Sequence, residues 1–465
     1  MENITLKQLA AAAHSCVTGC DENLQISAVV TDSRKLCPNS LFVALRGERF
    51  DGHNFAQQAL KGGAVCCVVD RDFNCEGLNA YIAVDNTQKA LEEMAAFYRR
   101  QMSIPVVAIT GSVGKTSTKD MVYCVLKRQY NALRTEGNFN NAIGLPLTVF
   151  NLKKEHEIAV LEMGMSSFGE ISLLTHIAAP ETALITNIGF SHIEHLGSQE
   201  NILKAKLEIL EGLSADGTVI LNGDDPFLWG LEGTLPYETI FYGIENKNCD
   251  ISAFDIKKYS TKSEFSVSVD GETFHIVLNA AGTHHIYNAL AGILTGLKYN
   301  IPMPEIIAGI ADFVPGGMRQ KIEPTKSYVL IRDCYNASPT SMKSGLEVLA
   351  VTKPKNEDGP YRRVAILGDM LELGSYAESS HRAVGALAAD FGVDCLIAVG
   401  ENAKFVAEGA IENGFCSSEI YVFYNNITAK EHINEILKPN DVILLKGSRG
   451  MRLEELADFI AEGDA

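Results

Sequence analysis

The sequence predicts an α/β protein of three domains, and three observations lead to this prediction. The chain has 465 residues, a length that is typical of roughly two to four domains with a large core. Its central strand candidates are apolar runs without alternation, which indicates a parallel sheet covered on both faces. Strand and helix patterns then alternate through the last third of the chain, which predicts a doubly wound domain.

The N-terminal domain is predicted over residues 1–102 as a mixture of short strands and helices. Buried strands are expected at Leu41–Leu45 and Ala64–Val69, and a charged helix is expected at Leu91–Gln101. Pro105 lies just beyond that helix, and a proline disfavours helical backbone in the residue before it. We therefore place the first domain boundary after residue 102.

The central domain is predicted over residues 103–315 with a mostly parallel sheet. Two alternating runs flank Asp270-Gly271, and this pattern predicts a β-hairpin. The apolar runs that we expect to be strands of the main sheet are Val107–Thr110, Ile158–Met163 and Ala183–Ile188.

The C-terminal domain is predicted over residues 316–465, after a boundary in the segment Phe313–Gly317. Helices are expected after Ser338-Pro339, near His381 and from Met451 onward. The strands expected between them are Tyr328–Ile331, Val364–Leu367, Leu396–Val399, Tyr421–Tyr424 and Val442–Leu445.

Composition and charge exclude several classes of protein. Hydrophobic residues make up 46% and charged residues 21% of the chain, which is ordinary for a globular protein. The net charge of −18 argues against nonspecific nucleic-acid binding. We expect no membrane insertion and a cytoplasmic location, since no apolar run reaches membrane-spanning length. The eleven cysteines include no Cys-x-x-Cys pair, so reduced core cysteines are expected.

A phosphate-binding loop is predicted directly after the strand Val107–Thr110. Glycines let backbone N–H groups approach phosphate oxygens, the lysine supplies a charge for the terminal phosphates, and the threonine hydroxyl suits magnesium. The loop is shorter than the usual pattern, and the alternative is a glycine turn with a surface lysine. A helix is expected at Ser117–Leu126, so the loop and the helix start comprise Gly111, Ser112, Val113, Gly114, Lys115, Thr116 and Ser117.

Two polar residues lie at or beyond the carboxyl ends of the next predicted strands. Glu162 lies at the carboxyl end of a strand, where a magnesium ligand or a water-positioning carboxylate is expected beside a phosphate-binding loop. His192 lies in a loop past the strand Ala183–Ile188, together with His195. The alternatives are an ordinary strand-end glutamate and a loop histidine whose hydrogen bonds are satisfied.

Lys206 occupies an unusual position on a predicted helix that begins at the N-cap Ser198. It shares a helical stripe with Ile202, Ile209 and Leu213. A buried lysine should have a lowered pKa, and a neutral amine can react with carbon dioxide to give a carbamate anion. The alternative is a lysine whose stem covers the edge of the stripe while its ammonium reaches solvent.

Other polar residues are weaker candidates when each is taken alone. Asn288 could read a nucleotide base or cap a turn, and Asp333 could accept hydrogen bonds from ribose hydroxyls. Arg319 lies at the second domain boundary, where a guanidinium could reach phosphate when domains close. The loops 31–34 and 51–54 suit a nucleotide diphosphate or are simple turns.

Taken together, these residues resemble the Mur ligase family over essentially the whole chain. The shortened phosphate-binding loop, unusual elsewhere, is normal in that family. The motifs that carry the resemblance are Asp32-Ser33-Arg34, Thr110–Thr116, Gly137–Asn141, Glu162-Met163-Gly164, Asn187-Ile188-Gly189 with Ser191-His192, Ala205-Lys206, Asn288, Arg319, Asp333–Ala337, and Gly368-Asp369-Met370 with Glu372-Leu373-Gly374.

The resemblance implies a fold and two cofactors. It implies an N-terminal domain for a uridine nucleotide, a central P-loop ATPase domain and a C-terminal Rossmann-like domain. It implies ATP as the nucleotide and magnesium held by Thr116, Glu162 and His192. It also implies that Lys206 is carbamylated and lies beside the metal.

The resemblance further implies contacts for each substrate. Asn288 and Asp333 would contact adenosine, and Arg319 would contact the phosphates. Together with Lys115, Glu162, His192 and Lys206, Arg319 would form the catalytic set. The residues that would contact the UDP-sugar substrate are Ser33, Arg34, Asn138 and Asn141.

Within the family, two sequence features favour one reaction. The tripeptide Asp-Asn-Pro, typical of members that add diaminopimelate or lysine, is absent from the chain, and the motif Gly368–Gly374 is present. We therefore expect an ATP-dependent ligase that joins D-alanyl-D-alanine to UDP-N-acetylmuramoyl-tripeptide through an acyl phosphate in peptidoglycan precursor synthesis. We expect this enzyme to be a monomer. The alternatives are another Mur-type ligase, a folylpolyglutamate-synthase-like ligase and a P-loop kinase.

Overall fold

A computed structural model describes residues 1–47 and 50–463, and these residues form four β-sheets. One sheet lies in the predicted N-terminal range, two lie in the central range and one lies in the C-terminal range. The boundaries after residues 102 and 315 remain proposals, and residues 464–465 of the last range lie outside the described part of the chain.

The N-terminal sheet has the strand order β1-β5-β4-β3-β2, in which β1 is antiparallel and the other neighbours are parallel. Its strands are β1 (Val17–Thr18), β2 (Ala28–Val30), β3 (Ser40–Val43), β4 (Ala64–Asp70) and β5 (Tyr81–Val84). The helices of this region are α1 (Leu6–Ala12), α2 (Ala56–Lys61) and α3 (Thr87–Arg100). Helix α3 begins four residues before the prediction, because the Asn86 side chain caps it by accepting from Lys89 N.

The main central sheet is parallel throughout, with the order β12-β11-β10-β9-β6-β8-β7. Its strands are β6 (Val106–Thr110), β7 (Ala132–Arg134), β8 (Ile158–Glu162), β9 (Thr182–Ile185), β10 (Thr218–Asn222), β11 (Glu238–Gly243) and β12 (Ile251–Ser252). Since β6 lies between β8 and β9, the loop after β6 is flanked by the carboxyl ends of both neighbours.

Helices cover both faces of this sheet and bury its strands, as the apolar runs predict. Residues of β6 and β8 are fully buried. The helices of the region are α4 (Lys115–Leu126), α5 (Gly144–Val149), α6 (Glu170–Ala178), α7 (Ile193–Leu196), α8 (Gln199–Leu207), α9 (Pro226–Trp229), α10 (Thr283–Lys298) and α11 (Met303–Ala311).

The predicted hairpin is confirmed. It forms part of a three-stranded antiparallel sheet of β13 (Phe254–Lys258), β14 (Ser263–Val269) and β15 (Glu272–Leu278). Val269 pairs with Glu272 across the turn, and Asp270 and Gly271 have φ values of 50° and 83°. Two successive positive φ values are typical of the tight turn that matches the strand twist.

The C-terminal sheet has the order β16-β17-β21-β18-β19-β20, with only the edge strand β16 antiparallel among its described strands. Its strands are β16 (Lys321–Pro324), β17 (Val329–Asp333), β18 (Arg363–Gly368), β19 (Cys395–Val399), β20 (Ile420–Phe423) and β21 (Val442–Lys446). The helices are α12 (Pro339–Val351), α13 (Ala377–Asp390), α14 (Ala403–Glu412), α15 (Asn426–Ile436) and α16 (Glu454–Gly463). This arrangement confirms the doubly wound prediction.

Several other predicted element bounds are wrong by a few residues, three of them next to the candidate site or at the end of the chain. Helix α4 begins at Lys115, two residues early, because the left-handed Gly114 is its N-cap. The last helix begins at Glu454, because a short 3₁₀ turn occupies Arg449–Met451. Strand β9 ends at Ile185, since Thr186 and Asn187 leave the sheet to bond the loop after β6.

Candidate functional site

The loop after β6 requires glycine at its first position. Gly111 has a φ of 149°, and a Cβ atom there would lie 1.8 Å from Thr186 Oγ1. Gly114 has a φ of 87° and starts helix α4. The loop therefore delivers backbone N–H groups to the N-terminus of a helix, an arrangement that favours anions.

The side chain of Lys115 lies over this loop. Its Nζ donates to the Gly111 carbonyl oxygen at 2.7 Å. Burial lowers the pKa of Lys115, Glu162 raises it, and Arg319 lowers it further. The Lys115 side chain is thus held against the loop, where its amine could face a terminal phosphate.

Thr186 and Asn187 brace the loop from the side, a role that the sequence prediction missed. Asn187 Oδ1 accepts from Val113 N at 3.0 Å, and Asn187 Nδ2 donates to the Val113 carbonyl oxygen at 2.9 Å. The Thr186 hydroxyl donates to the same carbonyl oxygen at 2.7 Å. The motif Asn187-Ile188-Gly189 indicated that the segment matters, but the pairing could only be found from the fold.

Glu162 is buried and has one carboxylate oxygen without a partner. Its Oε1 accepts from the Thr116 hydroxyl at 3.2 Å and from Asn140 Nδ2 at 2.8 Å. Its Oε2 is buried without a hydrogen bond among the residues that the structure describes. Magnesium is typically bound through one or two carboxylates, a hydroxyl, water and substrate phosphates, so this donor set fits magnesium. The described residues contain no group of three or more His, Cys, Asp or Glu side chains arranged for a metal.

His192 lies at the contact between the central and C-terminal domains. It has a left-handed φ of 62° and precedes helix α7. Its Nδ1 lies 2.6 Å from Glu372 Oε2, and the Glu372 carbonyl oxygen accepts from Glu194 N at 3.2 Å. Burial lowers the pKa of His192, while Glu372 raises it and Lys115 and Lys206 lower it. His195, the other histidine of this loop, is exposed.

Lys206 is buried, which contradicts the alternative of an ammonium that reaches solvent. The residue is 2% exposed, and the stripe residues Ile202, Ile209 and Leu213 are buried with it. The described part of the chain offers no carboxylate within 4.0 Å of its ammonium. Burial therefore lowers the pKa of Lys206 well below its ordinary value, and the nearby Lys115 lowers it further. The helix itself ends at Leu207, and a 3₁₀ turn continues the stripe.

Asn288 lies inside helix α10, so the turn-cap alternative is wrong. Its Oδ1 accepts from the Thr118 hydroxyl of α4 at 2.8 Å, and its Nδ2 lies 3.3 Å from His285 Nδ1. Asn288 Oδ1 is also 3.7 Å from the position that a Gly114 Cβ would take. The residue thus faces the start of the phosphate-binding helix.

Asp333 and Arg319 lie on the C-terminal side of the same space. Asp333 Oδ2 accepts from the buried Lys446 at 2.7 Å, and Lys446 also donates to the Asn336 carbonyl oxygen at 3.0 Å. The segment Lys446–Gly450 could be identified from the sequence as a strand end, but its pairing with Asp333, 113 residues earlier in the chain, could not. The guanidinium of Arg319 stacks on the Tyr335 ring, 3.8 Å from its centre.

These residues meet around one cavity of about 900 Å³ between the two domains. Gly111 and Lys206 are not among the described residues that line it. The predicted residues that do line it are Ser112, Val113, Gly114, Lys115, Thr116, Ser117, Asn141, Glu162, His192, Asn288, Arg319 and Asp333.

The residues predicted for the UDP-sugar lie mostly outside this cavity. Ser33 and Arg34 form a short 3₁₀ turn in which Arg34 makes a two-pronged contact with Asp32. The next residue, Lys35, lies 6.0 Å from the centre of the Phe139 ring, beside the exposed Asn138. Asn141 Oδ1 accepts from Gly144 N at 2.9 Å, at the start of helix α5. The 3₁₀ turn of the N-terminal domain and the loop 137–141 of the central domain therefore face each other across the boundary between these two domains.

The fold and the cavity define a P-loop nucleotide-binding protein whose site is completed by a C-terminal α/β domain. Three family models match consecutive parts of the chain. They are the Mur ligase family catalytic domain over residues 25–109, the Mur ligase middle domain over 109–296 and the Mur ligase glutamate ligase domain over 318–449.

Curated relatives and solved structures agree with these matches. The UDP-N-acetylmuramoyl-tripeptide--D-alanyl-D-alanine ligase of Bacillus subtilis is 40% identical over 95% of this chain and 94% of the relative. The Escherichia coli ligase of the same name is 34% identical over 99% of each chain. A crystal structure of MurF from Acinetobacter baumannii has a TM-score of 0.90 at 28% identity over 99% of each chain. MurF from Thermotoga maritima, in complex with ADP, has a TM-score of 0.81 at 27% identity over 94% of this chain and 97% of that one. The chain belongs to the Mur ligase family.

Proposed function

We propose that this protein is an ATP-dependent ligase that joins D-alanyl-D-alanine to UDP-N-acetylmuramoyl-tripeptide. The observation that carries the proposal is similarity to ligases named for this reaction over 95% of the chain at 40% identity. The cavity between the central and C-terminal domains supports it, because it joins a phosphate-binding loop to polar groups of a second domain.

The nucleotide is proposed to lie with its phosphates on the loop after β6. Backbone N–H groups and Lys115 would hold the terminal phosphates. Arg319 would add a second cation from the C-terminal domain, and Asp333, held by Lys446, would accept from the ribose hydroxyls. Asn288 would contact the nucleotide from helix α10.

Magnesium is proposed to bind at Thr116 and Glu162, with His192 as a further group beside it. The buried, unpartnered Glu162 Oε2 supports this assignment. Asn140 holds the other carboxylate oxygen and so fixes the orientation of Glu162. When bound, the ion would neutralise charge that develops on the phosphate oxygens.

The first chemical step follows from the chemistry of the two substrates. A carboxylate oxygen of the tripeptide attacks the γ-phosphorus of ATP, the bond to the β–γ bridging oxygen breaks, and ADP leaves. Lys115 and Arg319 would stabilise the charge on the transferred group. The product is an acyl phosphate.

In the second step, the amine of D-alanyl-D-alanine attacks the acyl carbon. The tetrahedral intermediate loses inorganic phosphate and a proton, which leaves the amide. Water would hydrolyse the acyl phosphate, so the site must exclude it. The contact between His192 and Glu372 joins the two domains beside the proposed reaction centre and supports such exclusion.

Lys206 is proposed to act as a carbamate. The neutral amine nitrogen attacks the carbon of carbon dioxide and loses a proton. The product is a carbamate, which carries one negative charge. Burial and the lowered pKa of Lys206 favour the neutral amine. The anion would be stabilised by Lys115 and by the magnesium proposed nearby.

The UDP-sugar is proposed to lie between the first two domains. Ser33, Arg34, Asn138 and Asn141 are the proposed contacts, and the approach of Lys35 to Phe139 supports a shared site. Among residues 1–47 and 50–463, no helix has both the length and the apolar character needed to cross a membrane. We propose a cytoplasmic enzyme that acts as a monomer, since one chain supplies every residue used above.

The test is phosphate release by the purified protein with ATP and magnesium. Release should require both UDP-N-acetylmuramoyl-tripeptide and D-alanyl-D-alanine. If a free amino acid on a shorter UDP-peptide works and the dipeptide fails, the chain belongs to a different branch of its family. Stable ADP formation with a single acceptor and no amine would indicate a kinase and would overturn the proposal.

A further inference from the structure

Lys119 is a buried lysine that the proposed function does not use. It lies on helix α4, one turn after Lys115, and is 2% exposed. Its Nζ donates to the Thr135 carbonyl oxygen at 2.7 Å and lies 3.2 Å from Asp120 Oδ1. Neither Lys119 nor Thr135 is among the described residues that line the cavity between the central and C-terminal domains. Any effect of Lys119 on the site must therefore pass through the residues that it contacts.

Thr135 connects this lysine to Glu162, the carboxylate that is proposed to bind magnesium. Thr135 follows strand β7 and is fully buried. Its N–H donates to the Val160 carbonyl oxygen at 3.0 Å, and its hydroxyl accepts from Glu162 N at 3.0 Å. Both bonds hold the end of strand β8. Because both depend on where Thr135 lies, a donor that fixes the Thr135 carbonyl group also fixes the main chain of Glu162.

The segment that begins at Thr135 also reaches the side chain of Glu162. Asn140 Nδ2 donates to Glu162 Oε1 at 2.8 Å, and the Asn140 carbonyl oxygen accepts from Gly164 N at 2.8 Å. We call residues 135–140 the support segment. Its first residue holds the main chain of Glu162, and its last residue holds the carboxylate. Lys119 binds the first of these two points.

Packing alone does not require a lysine at this position. A buried ammonium lowers the stability of a fold unless it is paired, and a methionine of similar length would fill the same space. Asp120 keeps a partner without Lys119, since its Oδ1 accepts from Arg134 Nη1 at 2.9 Å. What the lysine alone supplies is a charge-assisted hydrogen bond to the support segment.

We propose that Lys119 is a positioning residue for magnesium binding, which acts through the support segment to hold Glu162 toward the ion. This inference rests on the proposed function, in which Thr116 and Glu162 bind magnesium. Thr116 and Lys119 lie three residues apart on helix α4. One helix would therefore carry the hydroxyl ligand of the ion and also the lysine that fixes its carboxylate ligand. The spacing of the two ligands would then be set by that helix.

The test measures Mn²⁺ binding to the protein–ADP complex by electron paramagnetic resonance, which needs no turnover. Residues that orient a metal ligand typically change metal affinity roughly 10–100-fold. We expect Lys119→Met to raise the Kd for Mn²⁺ at least about tenfold. The Kd for ADP without metal and the Tm should change little.

Thr135 provides a second route to the same test, independent of whether Lys119→Met folds. Thr135→Val removes the hydroxyl that accepts from Glu162 N and should raise the Kd for Mn²⁺, whereas Thr135→Ser keeps the hydroxyl and should bind as the wild type does. Because Lys119 and Thr135 act along one path, the double variant Lys119→Met, Thr135→Val should bind Mn²⁺ more tightly than the sum of the two single effects predicts.

Lys127→Met is the matched control, because Lys127 is the C-cap of the same helix, is 36% exposed and pairs with Asp312. It should keep the wild-type affinity for Mn²⁺. The inference is overturned if Lys119→Met binds Mn²⁺ as the wild type does, or if it weakens metal-free ADP binding to the same extent, which would indicate a general loss of structure.

Glu162→Gln separates this inference from the proposed function. It should weaken Mn²⁺ binding at least as much as Lys119→Met does. An unchanged affinity in Glu162→Gln would remove the proposed magnesium site and the inference with it. Absence of ligase turnover in the wild-type protein would overturn the proposed reaction alone, because Mn²⁺ binding is measured without it.

Discussion

At the scale of single residues, Lys206 is where burial and function conflict most clearly. A lysine that is 2% exposed, with no carboxylate nearby among the described residues, is costly in its charged form. The sequence showed that Lys206 lies on an apolar stripe of the helix. It did not show how deeply the side chain is buried. Carbamylation would replace the buried ammonium with an anion, which the proposed metal ion could stabilise.

We predict that Lys206→Ala severely impairs ligase activity and that added short carboxylates such as formate partly restore it. The added anion would occupy the space of the lost carbamate. Turnover is measured with and without formate, and the exposed Lys204→Ala on the same helix is the control. An undiminished turnover in Lys206→Ala would remove the carbamate from the account.

The lowered pKa of Lys206 also predicts a pH-dependent stability. In the unfolded chain its pKa is ordinary, about 10.4, so at neutral pH the unfolded state binds the additional proton. Stability therefore rises with pH toward that value. In carbon-dioxide-free buffer, Lys206→Met should raise Tm at pH 7, and the gain should shrink as the pH approaches 10. A gain that is independent of pH would contradict a neutral buried amine.

Lys115 tests the assignment of the phosphate-binding loop. We predict that Lys115→Ala lowers kcat by at least about a thousandfold, because a charge aimed at the transferred phosphate is lost. The fold should persist, since Lys115 Nζ bonds only nearby loop carbonyl oxygens among the described groups. Turnover and circular dichroism are compared with Lys127→Ala, at the other end of helix α4. Near wild-type turnover would refute the assignment.

At the scale of elements, three neighbouring parallel strands explain why much of the site could be predicted. The carboxyl ends of β6, β8 and β9 lie side by side, so the residues that follow them converge. The phosphate-binding loop follows β6, Glu162 is the last residue of β8, and His192 follows β9. Apolar runs and their order were enough to predict this convergence.

Contacts between separate elements could not be predicted from those patterns. The pair Asp333 and Lys446 joins β17 to β21, two strands that are adjacent in the sheet and distant in sequence. Asn187 bonds the phosphate-binding loop only because β9 ends early. Strand order and strand ends depend on packing across the whole domain. They cannot be predicted from the hydrophobic pattern of a short segment.

The loop 137–141 gives an element-scale prediction through Asn140. Asn140→Ala should raise the magnesium concentration needed for half-maximal turnover several-fold, because Glu162 would lose the donor that orients it. Tm should change little, since Asn140 is only half-buried. Magnesium titrations of turnover are compared with Asn138→Ala at saturating UDP-substrate. An unchanged magnesium requirement would show that Asn140 does not position Glu162.

At the scale of the whole molecule, the site exists only where domains meet. Arg319, Asp333 and Glu372 come from the C-terminal range, whereas Lys115 and His192 come from the central one. The strand patterns predicted the parallel sheet of the central domain and the doubly wound C-terminal domain. The resemblance of the motifs implied the order of the three domains along the chain. The relative placement of the domains depends on contacts such as Glu372 with His192, which no single segment encodes.

The central claim is that a peptide carboxylate is activated as an acyl phosphate and then joined to the dipeptide amine. The most direct measurement uses UDP-N-acetylmuramoyl-tripeptide whose terminal carboxylate carries ¹⁸O, with mass spectrometry of both products. The account predicts one labelled oxygen in the released phosphate and a pentapeptide that has lost one label. Unlabelled phosphate, or labelled phosphate without any pentapeptide, would contradict it.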